Sequence, residues 1–298
     1  MKEPLVSVLI NCYNGEEYIN KSINSVLSQS YQNWELIFWD NLSEDNTKII
    51  VKSYTDERIN YFRAQTHASQ YQARRLAIKK CSGEFIAFLD VDDWWDDKKL
   101  EKQVKSFESD NIGFSCSNAW LINEREKRRK KIAFKKIPEG NILNELLKKD
   151  FITMSSLMIK KSSYDSLEYG FNPEFEIIGD FDLVLRLSLH NMFGAIQEPL
   201  TYYRLHGGNL TYIKNRLNVE ELTKLLKQMQ NNSKFSKSKN FNIFYNNVYY
   251  NRGVTSIIEQ KRFKSINEFI KLNSIYHLIK SFFMFCMPLK IILLLRKI

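Results

Sequence analysis

The sequence predicts an α/β fold, a parallel sheet with crossover helices continued by a helical C-terminal region. Two patterns predict the sheet. Apolar runs such as Val6–Ile10, "WELIFWD" (34–40) and Phe85–Leu89 are unbroken, as in strands covered on both faces, and stretches of helical periodicity separate them. A third observation concerns function: polar or acidic residues follow these strands at once. Asn11 follows the first, Asp40 ends the second, and Asp90, Asp92 and Asp93 follow the fourth. In open sheets of this kind ligands sit beyond the C-terminal strand ends.

The elements follow in order. In "NGEEYINKSINSVLSQS" (14–30), Asn14 with Glu17 three residues on predicts a capping box, and Ile19, Ile23, Val26 and Leu27 share one helix face. The polar turn "DNLSEDN" (40–46) leads to a short helix carrying Ile49 and Ile50. "RINYFRA" (58–64) reads as the third strand, and "SQYQARRLAIKK" (69–80) as a helix ending near Gly83. Leu100, Val104 and Phe107 mark the helix after the fourth strand.

Beyond residue 115 the order is less regular. The run "NEREKRRKKIAFKK" (123–136) reads as a solvated loop or hairpin, or as a contact for the phosphates of a lipid-linked acceptor or a membrane surface. In "GDFDLVLRLSLH" (179–190), Leu183, Leu185, Leu187 and Leu189 alternate as in a strand, while Asp180 and Asp182 suit the positive end of a helix. Periodicity leaves both open. From about residue 216 the pattern is helical. The apolar stretch from Phe282 to Leu295 is broken by Pro288 and Lys290 and falls short of the ~20 residues a spanning helix needs. Residues 275–298, flanked by Lys280, Arg296 and Lys297, read as a segment lying in the lipid headgroup region or as a terminal helix packed on protein.

Composition bounds the class. A chain of 298 residues with 44% hydrophobic and 26% charged residues is a folded protein of one large or two small domains, and disorder as the main state is excluded. The 44 Lys and Arg against 34 Asp and Glu give a net charge of +10, which favours an anionic partner: nucleic acid, an anionic lipid surface or a phosphorylated substrate. Cys12, Cys81, Cys116 and Cys286 lie far apart with no C-x-x-C pair, so no zinc knuckle or redox motif is present and a reducing cytoplasm is expected. The apolar run after Pro4 is too short for the hydrophobic region of a signal peptide.

The chemistry concentrates in "GEFIAFLDVDDWWDD" (83–97), where a buried strand ends in three close carboxylates. Like charges so placed repel, so either solvent screens them in a loop or a cation holds them together. A hard cation, Mg²⁺ or Mn²⁺, takes a few carboxylate oxygens and completes its shell with phosphate and water. Asp92 or Asp93 suits that ligand role. The plainer alternative is that Asp93 and Asp96 cap a helix beginning near Trp95.

Taken together, the motifs resemble those of the family 2 glycosyltransferases over roughly residues 4 to 210. "VSVLINCYNGEEYINKSINSVLSQSYQNWELIFWDN" is similar to the family's opening strand, helix and second strand, and "DNLSEDNT" to its D-D-G-S-x-D-x-T turn. "ARRLAIKKCSGEFIAFLDVDDWW" resembles its A-R-N-x-G segment and the L-D-x-D-D that follows, "IIGDFDLVLRL" its E-D-x-D-L-w-x-R element, and "YYRLHGGNLT" its y-R-x-H ending. Several motifs in one order are far more specific than any alone.

The resemblance implies a GT-A fold, a Rossmann-like nucleotide-binding half (1–115) fused to an acceptor half (116–215), with residues 216–298 as a helical extension whose end, 275–298, is a candidate membrane-associating segment. It places Asn11 and Tyr13 at the uracil, Asp40 and Asn41 at the base and ribose, Arg74 near the nucleotide and Asp90 near the ribose. Asp92 and Asp93 fall at the metal, with His206 at the metal or the diphosphate, and Asp180 takes the catalytic-base position. Three positions depart from the family pattern. Asn41 stands where a second Asp is usual, Arg75 replaces an Asn and adds charge toward the diphosphate, and Gly179 replaces a Glu.

The implied activity is inverting, metal-dependent transfer of a sugar from a nucleotide donor, UDP-linked, to a glycan or lipid-linked acceptor in bacterial surface polysaccharide, lipopolysaccharide or glycoprotein glycan synthesis. The implied setting is cytoplasmic, peripheral at the inner face of the cell membrane, without nucleic acid as partner. Two other functions compete. A nucleotidyltransferase also uses paired acids on a Rossmann-like half, but no Gly-rich phosphate loop is present. A basic membrane- or nucleic-acid-binding module explains the charge and leaves the ordered acids unexplained.

Overall fold

The computed structural model describes residues 3–108, 111–123, 128–131, 135–206 and 215–296. The first half alternates strands and helices: β1 (Val6–Cys12), α1 (Ile19–Leu27), β2 (Trp34–Asp40), α2 (Thr47–Lys52), β3 (Ile59–Arg63), α3 (Gln70–Ile78) and β4 (Phe85–Asp90). After it come β5 (Trp94–Trp95), α4 (Lys99–Lys105), β6 (Ile112–Asn123) and β7 (Arg128–Lys131). A short helix α5 (Leu143–Leu146) precedes a 3₁₀ turn at Met154–Ser156, then β8 (Leu157–Lys160), α6 (Lys161–Asp165), α7 (Gly179–Ser188) and β9 (Met192–Leu205).

One sheet holds all the strands, in the order β3-β2-β1-β4-β8-β6-β9-β5 with β7 on β6. β1, β2, β3 and β4 are mutually parallel where they pair, whereas β8 runs antiparallel to both β4 and β6. The order 3-2-1-4 makes the C-terminal ends of β1 and β4 the switch point, where crossovers diverge and leave a crevice. Register sets Asn11 beside Asp90 across that crevice.

β1, β2 and β4 are largely apolar because both faces are covered. Val8, Ile10, Leu36, Phe38, Ala87 and Leu89 pack into one core with Ile19, Ile23 and Val26 of α1 and Leu100 of α4. At about 25 cal/mol per Å² of apolar surface, such burial is the main term holding the site's strands in place. The three cysteines in this part, Cys12, Cys81 and Cys116, are buried and form no disulfide.

The structure corrects the sequence expectations in three places. The capping box at Asn14 and Glu17 does not form: α1 starts at Ile19, the position before it makes no side-chain cap bond, and Asn14 has φ 53°. Asn14 Oδ1 instead accepts from the Glu44 N–H (2.9 Å) and the Glu16 carboxylate from the Asn46 N–H (3.0 Å), so these side chains tie the β1 loop to the 43–47 turn. No helix begins near Trp95. Trp94 and Trp95 form a strand paired with Tyr202 and Thr201, with Trp94 stacked on Tyr202, and helix α4 waits until Lys99. Helix α3 stops at Ile78, before Gly83.

The ambiguous leucine run is a helix, α7, with Asp182 in its first turn as the helix reading requires. Its carboxylate, 2% exposed, bonds Arg186 one turn on (2.6 Å). Arg128–Lys131 pairs antiparallel with β6 as a hairpin, while much of the basic run and the "GGNLT" after His206 lie outside the described residues.

Contacts divide the chain into two compact units. Met1–Ile142 with Phe151–His206 form the sheet unit, and Leu143–Asp150 with Gly207–Ile298 the other. In the second unit the helices Asn215–Gln230, Phe241–Ile258, Arg262–Phe269, Ile275–Cys286 and Leu289–Arg296 follow one another, around a small core of Tyr250, Val254, Ile257, Phe269, Leu272, Met284 and Ile292.

Candidate active site

The acidic loop after β4 is a tight turn, closed by the Asp93 N–H donating to the Asp90 carbonyl (3.0 Å). Ser155 braces it from the 3₁₀ turn: its Oγ accepts from the Asp90 N–H (3.0 Å) and donates to Asp93 Oδ2 (2.5 Å). Arg204 on β9 closes the other side, its N–H to Asp93 Oδ1 (2.9 Å) and its Nε to the Asp92 carbonyl (2.7 Å). His206 Nε2 stands 2.8 Å from Asp92 Oδ2.

Asp90, Asp92 and Asp93 each bring a carboxylate oxygen within 4.8 Å of the others. Burial and the charges of Asp92 and Asp90 push Asp93 well above the usual carboxylate range, and burial also raises Asp90 against the opposing pull of Arg74. A divalent cation would relieve that repulsion, and the all-oxygen donor set fits a hard ion. The three are not equivalent. Asp93 is 1% exposed with both oxygens already accepting hydrogen bonds, whereas the Asp90 and Asp92 side chains are 30% and 23% exposed. His206 touches Asp92 and is outside the carboxylate cluster.

Beside this loop, Arg74 on α3 is buried and binds Asp90 (Nη2 to Oδ1, 2.5 Å). Among the described residues its buried Nη1 has no partner, nor has Asn11 Oδ1 at the end of β1. A buried donor and a buried acceptor left open at one crevice are what a polar ligand would complete. Asp180 opens α7, where the helix N-terminus favours a negative charge. Burial raises its pKa, while Arg74, the Phe181 N–H (2.9 Å) and the Tyr71 hydroxyl (3.0 Å) pull the other way. Arg75 bonds Gln72 on its own helix (3.4 Å).

At the end of β2, Asp40 is fully buried. Its carboxylate accepts from the Ser43 N–H (2.7 Å), the Tyr61 hydroxyl (2.5 Å) and Arg63 (3.2 Å). Asn41 pairs with the backbone of Ala68, donating to its carbonyl (2.8 Å) and accepting from its N–H (3.2 Å). A carboxylate at 41 would set an oxygen against that carbonyl, so the departure from Asp has a local cause: only an amide offers both a donor and an acceptor. The pairing holds His67, whose Nδ1 lies 3.0 Å from the Asn41 carbonyl and whose ring meets the half-exposed Tyr13 edge to face at 4.5 Å.

The structure thus gathers Asn11, Arg74, Asp90, Asp92, Asp93, His206 and Asp180 around one crevice, and Tyr13 with Asn41 and His67 at the end of β2. Sequence reasoning missed Tyr71, His67, Ser155 and Arg204. Only Arg204 stood inside a recognised motif.

A parallel 3-2-1-4 half with an acidic loop at its switch point, continued in the same sheet by strands of mixed direction, defines a GT-A-type α/β protein. Residues 7–167 match the family model for glycosyl transferase family 2, and the chain belongs to that family. It is 37% identical over 171 residues, 57% of this chain and 66% of the other, to the Escherichia coli UDP-Glc:alpha-D-GlcNAc-diphosphoundecaprenol beta-1,3-glucosyltransferase WfgD. WfaP of E. coli, described by the same activity, is 31% identical over 209 residues, 70% of this chain and 80% of its own. The chain therefore spans just under two thirds of the length of WfgD. Among solved structures, S. aureus TarS 1–349 has the same fold, with a TM-score of 0.69 at 16% identity over 90% of this chain and 81% of that one.

Proposed function

We propose that the chain transfers a sugar, with inversion, from a UDP-sugar to a hydroxyl of a lipid-diphosphate-linked saccharide, in the assembly of a bacterial surface glycan. The observation that carries this is the pair of acidic positions joined by Arg74. Arg74 bonds Asp90 of the accessible pair Asp90 and Asp92, and its charge also acts on the separate carboxylate of Asp180. WfgD and WfaP, by their names, act with UDP-glucose on a diphosphoundecaprenol-linked sugar, which supports the choice of donor and acceptor.

In this reading Tyr13 and His67 face the base, Asn11 Oδ1 and Arg74 Nη1 complete their open bonds on the donor, and Asp90 and Asp92 would hold Mg²⁺ or Mn²⁺ with His206 alongside. When bound, the cation supplies charge that stabilises the departing diphosphate. Asp180 takes the proton of the acceptor hydroxyl. That oxygen forms the bond to the anomeric carbon from the opposite face, the bond to the β-phosphate oxygen breaks, and its electron pair leaves with UDP. A retaining route would need a carboxylate nucleophile close to the anomeric carbon, and no residue is assigned that part.

Calorimetry tests the donor class: UDP should bind with Mn²⁺ present and at least about tenfold more weakly without it, and GDP and TDP should bind more weakly still. A folded protein that binds GDP as well as UDP would remove the UDP assignment.

The setting is the inner face of a membrane. Of the large apolar side chains that stand exposed, most fall between Phe263 and Leu295, including Ile270, Ile275, Phe282 and Phe283. Arg262, Lys264, Lys271, Lys280 and Lys290 accompany them against Glu268 as the one acid, a composition suited to an anionic lipid surface. No helix among the described residues is long and apolar enough to cross a membrane. Replacing Phe282 and Phe283 by Glu should lower co-flotation with phosphatidylglycerol vesicles by about tenfold or more. Unchanged flotation would refute the lipid contact.

A further inference from the structure

Tyr71 lies where it can govern Asp180. It is the second residue of α3, 1% exposed, and its ring stacks on Phe171 at 5.4 Å. The same ring covers Gly179, the residue just before Asp180: a Cβ there would stand 2.4 Å from Tyr71 Cδ2 and 2.6 Å from Cγ. Gly179 does not adopt the left-handed conformation that would by itself demand glycine. Its lack of a side chain is what admits the tyrosine. In turn the ring delivers a hydroxyl 3.0 Å from Asp180 Oδ1 and 3.0 Å from the Ile177 carbonyl. One phenolic proton therefore faces two acceptors.

The Phe181 N–H also binds Oδ1. Two donors on one oxygen fix the rotation of the carboxylate and leave Oδ2 outside these bonds. Arg74 from α3 and Asp90 from β4 are the charged groups that face it.

We propose that Tyr71 is a positioning residue for Asp180: its hydroxyl donates to the ionised carboxylate before transfer and turns to the Ile177 carbonyl once Asp180 has taken the acceptor's proton. Tyr71 keeps its own proton throughout, and the only proton that moves passes from the acceptor hydroxyl to Asp180. The proposal rests on Asp180 as the base. It adds that the Tyr71–Gly179 fit is what sets the affinity of that base for a proton.

The test is a titration of ¹³Cγ-labelled aspartate in the full chain by NMR, with Asp180→Asn assigning the resonance. Tyr71→Phe keeps the ring and removes only the hydroxyl. Loss of a donor to the charged form should raise the Asp180 midpoint by about one pH unit. The acidic limb of UDP-glucose turnover should move up with it, kcat falling about tenfold at pH values below the wild-type midpoint and KM for the donor staying within about twofold. Gly179→Ala displaces the ring and should shift the midpoint in the same direction. The double variant should then add nothing to Tyr71→Phe, since both changes remove one bond. An unmoved Asp180 midpoint in a folded Tyr71→Phe protein overturns the role of Tyr71 and leaves Asp180 as base untouched. Full transfer by Asp180→Asn overturns both.

Discussion

Asp180→Asn is expected to lower sugar transfer about 10³-fold while UDP affinity stays within about twofold. The substitution keeps the shape. An Asn Oδ1 still accepts from the Phe181 N–H and the Tyr71 hydroxyl, so the start of α7 is held as before. What is lost is the capacity to take a proton. Burial raises the pKa of this carboxyl, which strengthens it as a base, while Arg74, the Phe181 N–H and the Tyr71 hydroxyl oppose the rise. Activity should therefore fall as pH drops through the raised midpoint. Single-turnover transfer to a lipid-diphosphate-linked saccharide separates the chemical step from donor binding. A variant with wild-type turnover would remove Asp180 from the base role.

How much of this was readable from sequence depends on whether a residue acts through its neighbours in the chain. β1 to β4 were readable because buried parallel strands are continuous apolar runs with abrupt ends. α7 was not. Gly179, Phe181, Leu183, Val184, Leu185 and Leu187 are all buried, so the helix has no exposed face between Phe181 and Leu185 to mark its 3.6-residue period. Alternating leucines then imitate a strand. The acids of the site were visible because they sit in motifs, while Tyr71 meets Asp180 across 109 residues and Ser155 meets Asp90 across 65. Asn14 misled for a related reason. Its local sequence suits a cap, but a tertiary partner, the 43–47 turn, claims the side chain.

The acidic loop makes the second strong prediction, because its neighbouring carboxylates should fail in different ways. Asp92 is accessible and bonded only to His206 among the described contacts of its side chain. Asp92→Asn should leave thermal stability close to wild type, remove most of the Mn²⁺ dependence of UDP binding, and lower transfer ~100-fold or more, since an amide is a poor ligand for a hard cation. Asp93 is buried and acts as a strut, accepting from the Ser155 hydroxyl and the Arg204 N–H. Asp93→Ala strands both donors and should destabilise the fold by about 2–4 kcal/mol. Because Ser155 Oγ also accepts from the Asp90 N–H, and Arg204 Nε donates to the Asp92 carbonyl, the loop that presents Asp90 and Asp92 should loosen with it. Denaturant melts and Mn²⁺-dependent UDP calorimetry on the two variants distinguish ligand from strut. If Asp93→Ala melts like wild type while losing cation-dependent binding, Asp93 is itself a ligand and the division of labour drawn from its hydrogen bonds is wrong.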